Sequence, residues 1–219
     1  MSDALKGLVD LLGLEMLEEN LFRGRSQDLG LPQLFGGQVL GQALSAATQT
    51  VDPERQVHSL HGYFLRPGDA SMPVVYQVDR VRDGGSFTTR RITAIQKGRP
   101  IFFCSASFHG REDGFSHQAS MPSLDISEPD ASDAILRFPG HPIVFRHVED
   151  SAEPGQPART RLWFRLRGEL PDDAALHRYL LAYSSDFNLL TTSLVPHGIR
   201  FGDPSLQIAS LDHSLWFHQ

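Results

Sequence analysis

The sequence predicts an α+β fold in which one unit is built twice, each copy an antiparallel sheet wrapped around a central helix. Three observations carry this. First, the order Leu60-His61-Gly62-Tyr63-Phe64-Leu65-Arg66 is echoed at Asp212-His213-Ser214-Leu215-Trp216-Phe217-His218, which marks an internal repeat. Second, a run from Gln38 to Thr48 favours helix yet has no charged face, the pattern of a helix buried nearly all round. Third, this run is followed by four strand-like segments with few helical signals between them, which places a sheet around the helix so that each hides the other's apolar surface.

The elements follow in order. Leu5, Leu8, Val9, Leu12 and Met16 fall at helical spacing behind Ser2 and Asp3, so the chain is expected to open with a capped amphipathic helix. The strands are read at Gln56 to Leu65, Val74 to Arg82, Ser86 to Gln96 and Arg99 to Phe108. Asp83-Gly84-Gly85 and Lys97-Gly98 supply the turn chemistry of consecutive hairpins. A Pro-, Ser- and acid-rich stretch then reads as a connector. This divides the chain into a first unit at 1–110, a linker at 111–140 and a second unit at 141–219. In the second unit Pro142 to Val148 and Leu162 to Arg167 read as strands, Pro171 to Leu181 as a helix, and Ser184 to Leu194 as the second buried helix, paired with Gln38 to Thr48. The first copy runs on for roughly forty residues after its echo segment whereas the second stops at Gln219, so symmetry expects the second unit to lack its last strands.

With 40% hydrophobic and 21% charged residues in a chain of 219, there is enough apolar surface for a substantial core. A formal charge of −6, with no basic run, argues against nucleic acid or an acidic membrane surface as a partner. The chain has one cysteine, Cys104, within the apolar run Ile101-Phe102-Phe103-Cys104. It reads as a buried thiol, and with no signal peptide or membrane span in view the expected location is cytoplasmic.

Asp186 is the departure from symmetry between the two buried helices: it opens the second where Gly37-Gln38 open the first. An aspartate there is a helix cap, and the same free amides and dipole would keep it ionised to polarise a water at neutral pH. The echo places His58 opposite Ser210. If His213 looks outward, Ser210 looks inward and its hydroxyl shares a water with Asp186; the alternative is a strand serine bonded to a neighbouring carbonyl. No Gly-x-Ser-x-Gly elbow surrounds Ser210. His58, His61 and His213 read as packed or hydrogen-bonded sheet histidines, and their spacing gives no zinc set. Gly36 and Gly37 let backbone amides approach a ligand oxygen, or let a second helix pack closely.

Phe22-Arg23-Gly24, Phe35-Gly36-Gly37-Gln38-Val39-Leu40-Gly41-Gln42-Ala43, His58 through Gly68 and Ile208 through His218 together strongly resemble the acyl-CoA thioesterase II family, from the first helix to the last residue. The resemblance implies a double hotdog fold and hydrolysis of fatty acyl-CoA to free acid and CoA, without metal or organic cofactor. It also implies association into homodimers or homotetramers. The family's water-holding set is an aspartate, a threonine or serine, and a glutamine. The aspartate matches Asp186 and the hydroxyl matches Ser210; the glutamine belongs to a strand expected after Gln219. Gly37, Gln38 and His58 are the expected substrate or oxyanion contacts. A non-catalytic acyl-CoA binding or sensing module is the rival class. An enoyl-CoA hydratase on the same fold would want a Gly-Asp-x-Asn-Pro segment, which is absent.

Overall fold

The structure, a computed structural model, describes residues 1–121, 140–152 and 157–218. Most of the expected linker, residues 122–139, and the terminal Gln219 lie outside the described residues. Two compact units are separable, one of Met1–Lys6, Glu112–Leu170 and Asn188–Gln207, the other of Gly7–Arg111, Pro171–Phe187 and Ile208–Gln219.

The larger unit is built on a seven-stranded antiparallel sheet. Its strands are β1 (Glu15–Glu18), β2 (Leu21–Gly24), β3 (Gln56–Phe64), β4 (Val74–Asp83), β5 (Phe87–Gln96), β6 (Arg99–His109) and β9 (Asp212–Trp216), in the order β1-β2-β4-β5-β6-β3-β9. The tight β5–β6 connection has Lys97 at φ 50° and Gly98 at φ 69°, the left-handed pair that matches strand twist in a two-residue hairpin. The first helix, α1 (Asp3–Leu12), is capped by the Ser2 hydroxyl, which accepts from the Leu5 amide at 3.3 Å. It stops short of Met16, which lies exposed in β1.

Helix α2 (Gly36–Thr48) is buried from Gly37 through Ala47. Its apolar side chains Val39, Leu40, Ala43, Leu44 and Ala47 join Leu60, Tyr76, Ile92, Phe102 and Phe108 of the sheet in one core. Burying a helix all round strands its polar side chains unless they find partners. Gln42 donates to the carbonyls of Leu11 at 2.6 Å and Arg25 at 2.8 Å, and accepts from the Tyr76 hydroxyl at 2.8 Å. Cys104 lies in the same core, where burial pushes its thiol pKa up, as for an unreactive packed cysteine.

Helix α3 (Ala174–Ser185) packs on α2. Asp173 caps it by accepting from the amides of Ala175 at 2.9 Å and Leu176 at 3.2 Å. Gly41 of α2 makes the approach possible: a Cβ there would stand 3.0 Å from the Tyr179 carbonyl oxygen and 3.3 Å from Tyr183 Cβ. The expected helix from Ser184 to Leu194 does not form. Instead α3 ends at Ser185, Asp186 is its C-cap, and a 3-10 helix runs Leu190–His197. The break has a local cause, since Asn188 sits at φ 61°, a left-handed conformation that asparagine tolerates and an α-helix cannot pass through. The helix that accompanies α2 is therefore α3.

The smaller unit contains the hairpin of β7 (Ile143–Ser151) and β8 (Arg159–Leu166), in register from Ile143 opposite Leu166 to Ser151 opposite Arg159. No helix among the described residues is long and apolar enough to cross a membrane.

The two echo segments turn out to be neighbours. β3 and β9 pair antiparallel, with His61 opposite Ser214 and Gly62 opposite His213. Their faces also correct the alignment of the echo. His61 and Ser214 both point outward, Leu60 is buried and His213 is buried. His213 thus matches in phase the buried Leu60 and Gly62 on either side of His61, one residue away from the match that pairs the two histidines.

Candidate active site

Asp186 does not open a helix in this structure, so the amides of a helix beginning at its own position cannot be what stabilises it. The carboxylate lies instead at the start of α2, where Phe35 is an N-cap without a side-chain hydrogen bond. The Gly37 amide lies close enough to favour its ionised form. An aspartate from the end of one helix thus serves the N-terminus of another, gaining a dipole interaction from α2. Glycine is what makes room: a Cβ on Gly36 would lie 2.7 Å from Asp186 Oδ2 and 3.0 Å from the Phe64 ring, and one on Gly37 would strike the Tyr183 carbonyl oxygen.

The surroundings are apolar. Phe35 lies 4.3 Å from Phe187 and 5.2 Å from Tyr183 between ring centroids. The Asp186 side chain is 11% exposed, and its Oδ1 lies 3.8 Å from Nδ1 of His213, itself 3% exposed. Burial pushes the Asp186 pKa up, opposed by charge on His213 and by the Gly37 amide. Burial pushes His213 down, opposed by Asp186 and then Asp212. A carboxyl raised this way, open to solvent on one edge, is a stronger base than an ordinary carboxylate, the direction wanted of a general base.

The other sequence-derived candidates are placed as follows. Gly37 is brought directly to Asp186. Gln38 is buried and its amide is engaged elsewhere, accepting from the Gln27 amide at 2.9 Å and donating to the Arg25 carbonyl at 3.2 Å. His58 is the extra residue of a bulge in the β3–β6 pairing. Its Nε2 lies 2.7 Å from Ser107 Oγ, its ring packs edge-on to His109 and Phe87, and burial followed by His109 lowers its pKa. No contact among the described residues joins His58 to Asp186. Ser210 is half-buried just before β9 and forms no hydrogen bond with Asp186. His61 lies on the outer face, 3.2 Å from Ser214 Oγ.

His213 is the site residue that sequence reading passed over as a packed histidine. The available signal was its flanks: Asp212 and Ser214 are polar on either side of it, an alternation that turns His213 inward.

Gly36→Ala tests the geometry without removing any reacting group. Its Cβ meets only the ends of side chains, Asp186 and Phe64, so the fold accommodates it while the carboxylate is displaced. Hydrolysis is expected to fall about tenfold or more with the melting temperature held near the parent's. Unchanged hydrolysis would separate the carboxylate's position from activity.

Comparisons with known proteins bear on the family and the fold. The acyl-CoA thioesterase N-terminal domain family matches residues 24–109 and the acyl-CoA thioesterase family matches residues 141–219. Acyl-CoA thioesterase 2 of Haemophilus influenzae is 37% identical over all of this chain and 83% of that protein. Acyl-coenzyme A thioesterase 8 of Homo sapiens is 38% identical over 95% of this chain and 73% of that protein. Among solved structures, the acyl-CoA thioesterase II TesB2 of Mycobacterium marinum superposes with a TM-score of 0.81 at 43% identity, covering 97% of this chain and 79% of that one. A protein of Alicyclobacillus acidocaldarius solved with a hotdog fold superposes with a TM-score of 0.74 at 24% identity, covering 96% of this chain and 78% of that one, and speaks to the fold alone. The architecture is α+β, a double hotdog, and its class is that of thioester hydrolases. The chain belongs to the acyl-CoA thioesterase II family.

Proposed function

We propose that this enzyme hydrolyses fatty acyl-CoA by single displacement, with Asp186 as the general base for the attacking water. The observation that carries the reading is the largely buried Asp186 carboxylate, set against Gly36 and Gly37 at the start of α2 inside an aromatic corner. Ser210 is assigned to orienting the water, with the glutamine expected of the family's water-holding set. The thioester oxygen is assigned to the first-turn amides of α2, where the helix dipole favours developing negative charge. Thiolate leaves readily, so the site works without a strong acid on the leaving-group side. His58 and Gln38 are assigned to shaping the substrate face and the start of α2, in keeping with their engaged side chains. A cytoplasmic homodimer or homotetramer is the further expectation, and the exposed Tyr63 and Trp216, packed on Phe103 and His61, give the outer face of the sheet an aromatic surface for it.

The test follows CoA release from a series of saturated acyl-CoAs alongside a binding titration, with mass spectrometry of the protein during turnover. Release of CoA with the protein mass unchanged is the expected result. Saturable binding with no CoA released would make the chain a binding module, and an acyl adduct on Ser210 would refute attack by water.

A further inference from the structure

The mechanism so far uses Asp186 and leaves its neighbour unexplained. His213 projects inward from β9, nearly fully buried, and its Nδ1 has no hydrogen-bond partner. A buried nitrogen without a partner is costly to keep. The buried positions of β3 in the same phase, Leu60 and Gly62, carry no polar side chain, so the sheet does not require a histidine there.

The other ring nitrogen fixes the tautomer. Ser185 Oγ donates its single proton to the Ala182 carbonyl at 2.9 Å and lies 3.0 Å from His213 Nε2. With its proton spent, Oγ accepts, so Nε2 carries the hydrogen and Nδ1 of the neutral ring presents a lone pair. That lone pair faces Asp186 Oδ1 at 3.8 Å. Two acceptors then face each other with no proton between them.

We propose that His213 is a positioning residue for the base: when Asp186 takes a proton from water, the 3.8 Å between Asp186 Oδ1 and His213 Nδ1 closes to hydrogen-bond length and the proton is held between them, with Ser185 fixing the tautomer that allows it. The inference rests on the reading of Asp186 as general base. In the step, an O–H bond of water breaks as its oxygen bonds to the thioester carbon, and the proton goes to the pair. The C–S bond then breaks with its electrons on sulfur, and the pair returns the proton to the CoA thiolate. While burial keeps the ring neutral, the opposing charge of a protonated His213 is absent; the ionised carboxylate beside a neutral lone pair is then the higher-energy state, which raises the proton affinity of the pair as a unit. Two carboxylates face His213, Asp186 from the end of α3 and Asp212 on its own strand, and burial outweighs both in holding it neutral.

Two variants of the full chain test this through the pH profile of kcat/KM for one acyl-CoA. His213→Gln keeps an amide for Ser185 and removes the Nδ1 lone pair. It is expected to lower kcat about tenfold or more and to move the acid limb about one unit toward lower pH, with KM unchanged. Ser185→Ala releases the tautomer, so that Nδ1–H can donate to the carboxylate and stabilise its ionised form. Its acid limb is expected to move the same way, and it decides the matter if His213→Gln does not fold. An acid limb unmoved in the variants that fold, or a loss of rate that only follows a fall in melting temperature, overturns the role of His213. Asp186→Asn is measured beside them: full turnover there sinks the base itself. An inactive Asp186→Asn with parental His213→Gln and Ser185→Ala sinks only the pair. Adding His213→Gln to Asp186→Asn is expected to cost nothing more, because the two act as a unit; a further tenfold loss contradicts that.

Discussion

Asp186→Asn is expected to lower turnover of a fatty acyl-CoA by at least about a hundredfold, in the range for losing a general base. The substitution keeps the shape and an acceptor for the Gly37 amide, so KM and the fold should hold. The pH dependence sharpens it. Burial raises the Asp186 pKa above its usual value of 3.8, so the parent loses activity as pH falls through that raised value, and the residual rate of the variant has no such limb. Stability should run the opposite way. A carboxyl whose folded pKa is raised contributes stability that is fully present below its unfolded pKa and lost as pH rises through the folded one. At neutral pH the parent carries the destabilising ionised form, and Asp186→Asn is expected to melt no lower than the parent. The measurement is CoA release across pH together with thermal melts. Parental turnover would remove Asp186 from the role.

Arg90→Leu is expected to be the most damaging change to stability, about 2–4 kcal/mol. Arg90 on β5 is 1% exposed and Asp83, its ion partner at 2.6 Å, is 59% exposed, so the pair contributes little of this by charge alone. The weight lies in buried acceptors. Arg90 donates to the Thr50 hydroxyl at 2.9 Å and its carbonyl at 3.0 Å, just past the end of α2, and to the carbonyls of Arg82 and Thr89 at 3.1 Å. Leucine fills much of the volume and satisfies none of them. Arg90→Lys, with charge but no planar fork, should fall between. Denaturant midpoints at constant pH give the answer, and a loss below about 1 kcal/mol would mean that water replaces the guanidinium without difficulty. Activity below the transition should be near the parent's, since no contact among the described residues joins Arg90 to Asp186.

Much of the larger unit was legible because its signals are local. The expected strand from Gln56 to Leu65 is Gln56–Phe64 and that from Arg99 to Phe108 is Arg99–His109, since alternation and hairpin turns are written in adjacent residues. The burial of α2 was legible from its missing charges. The site was legible by letter and not by place. Asp186 was singled out as a candidate, but its helix was assigned wrongly, because Asn188 at φ 61° breaks a run whose propensities continue. Its true setting at the start of α2 depends on α2 and α3 lying close, which Gly37 and Gly41 permit and no local pattern announces. The echo misled by one residue because two matching histidines outweighed the inward and outward alternation that separates them.

The pairing of β3 with β9 joins His61 to Ser214 across 153 positions. A ribosome adding about 5–20 residues per second needs about 8 to 30 seconds to cover that distance. Once β6 (Arg99–His109) has been made and paired with one side of β3, the other side stays a bare row of amides and carbonyls until Asp212–Trp216 emerge, open to any extended nascent chain nearby. β9 is thus the last of the seven strands to join the sheet, and the edge of β3 that it covers is a place where mispairing during synthesis can begin.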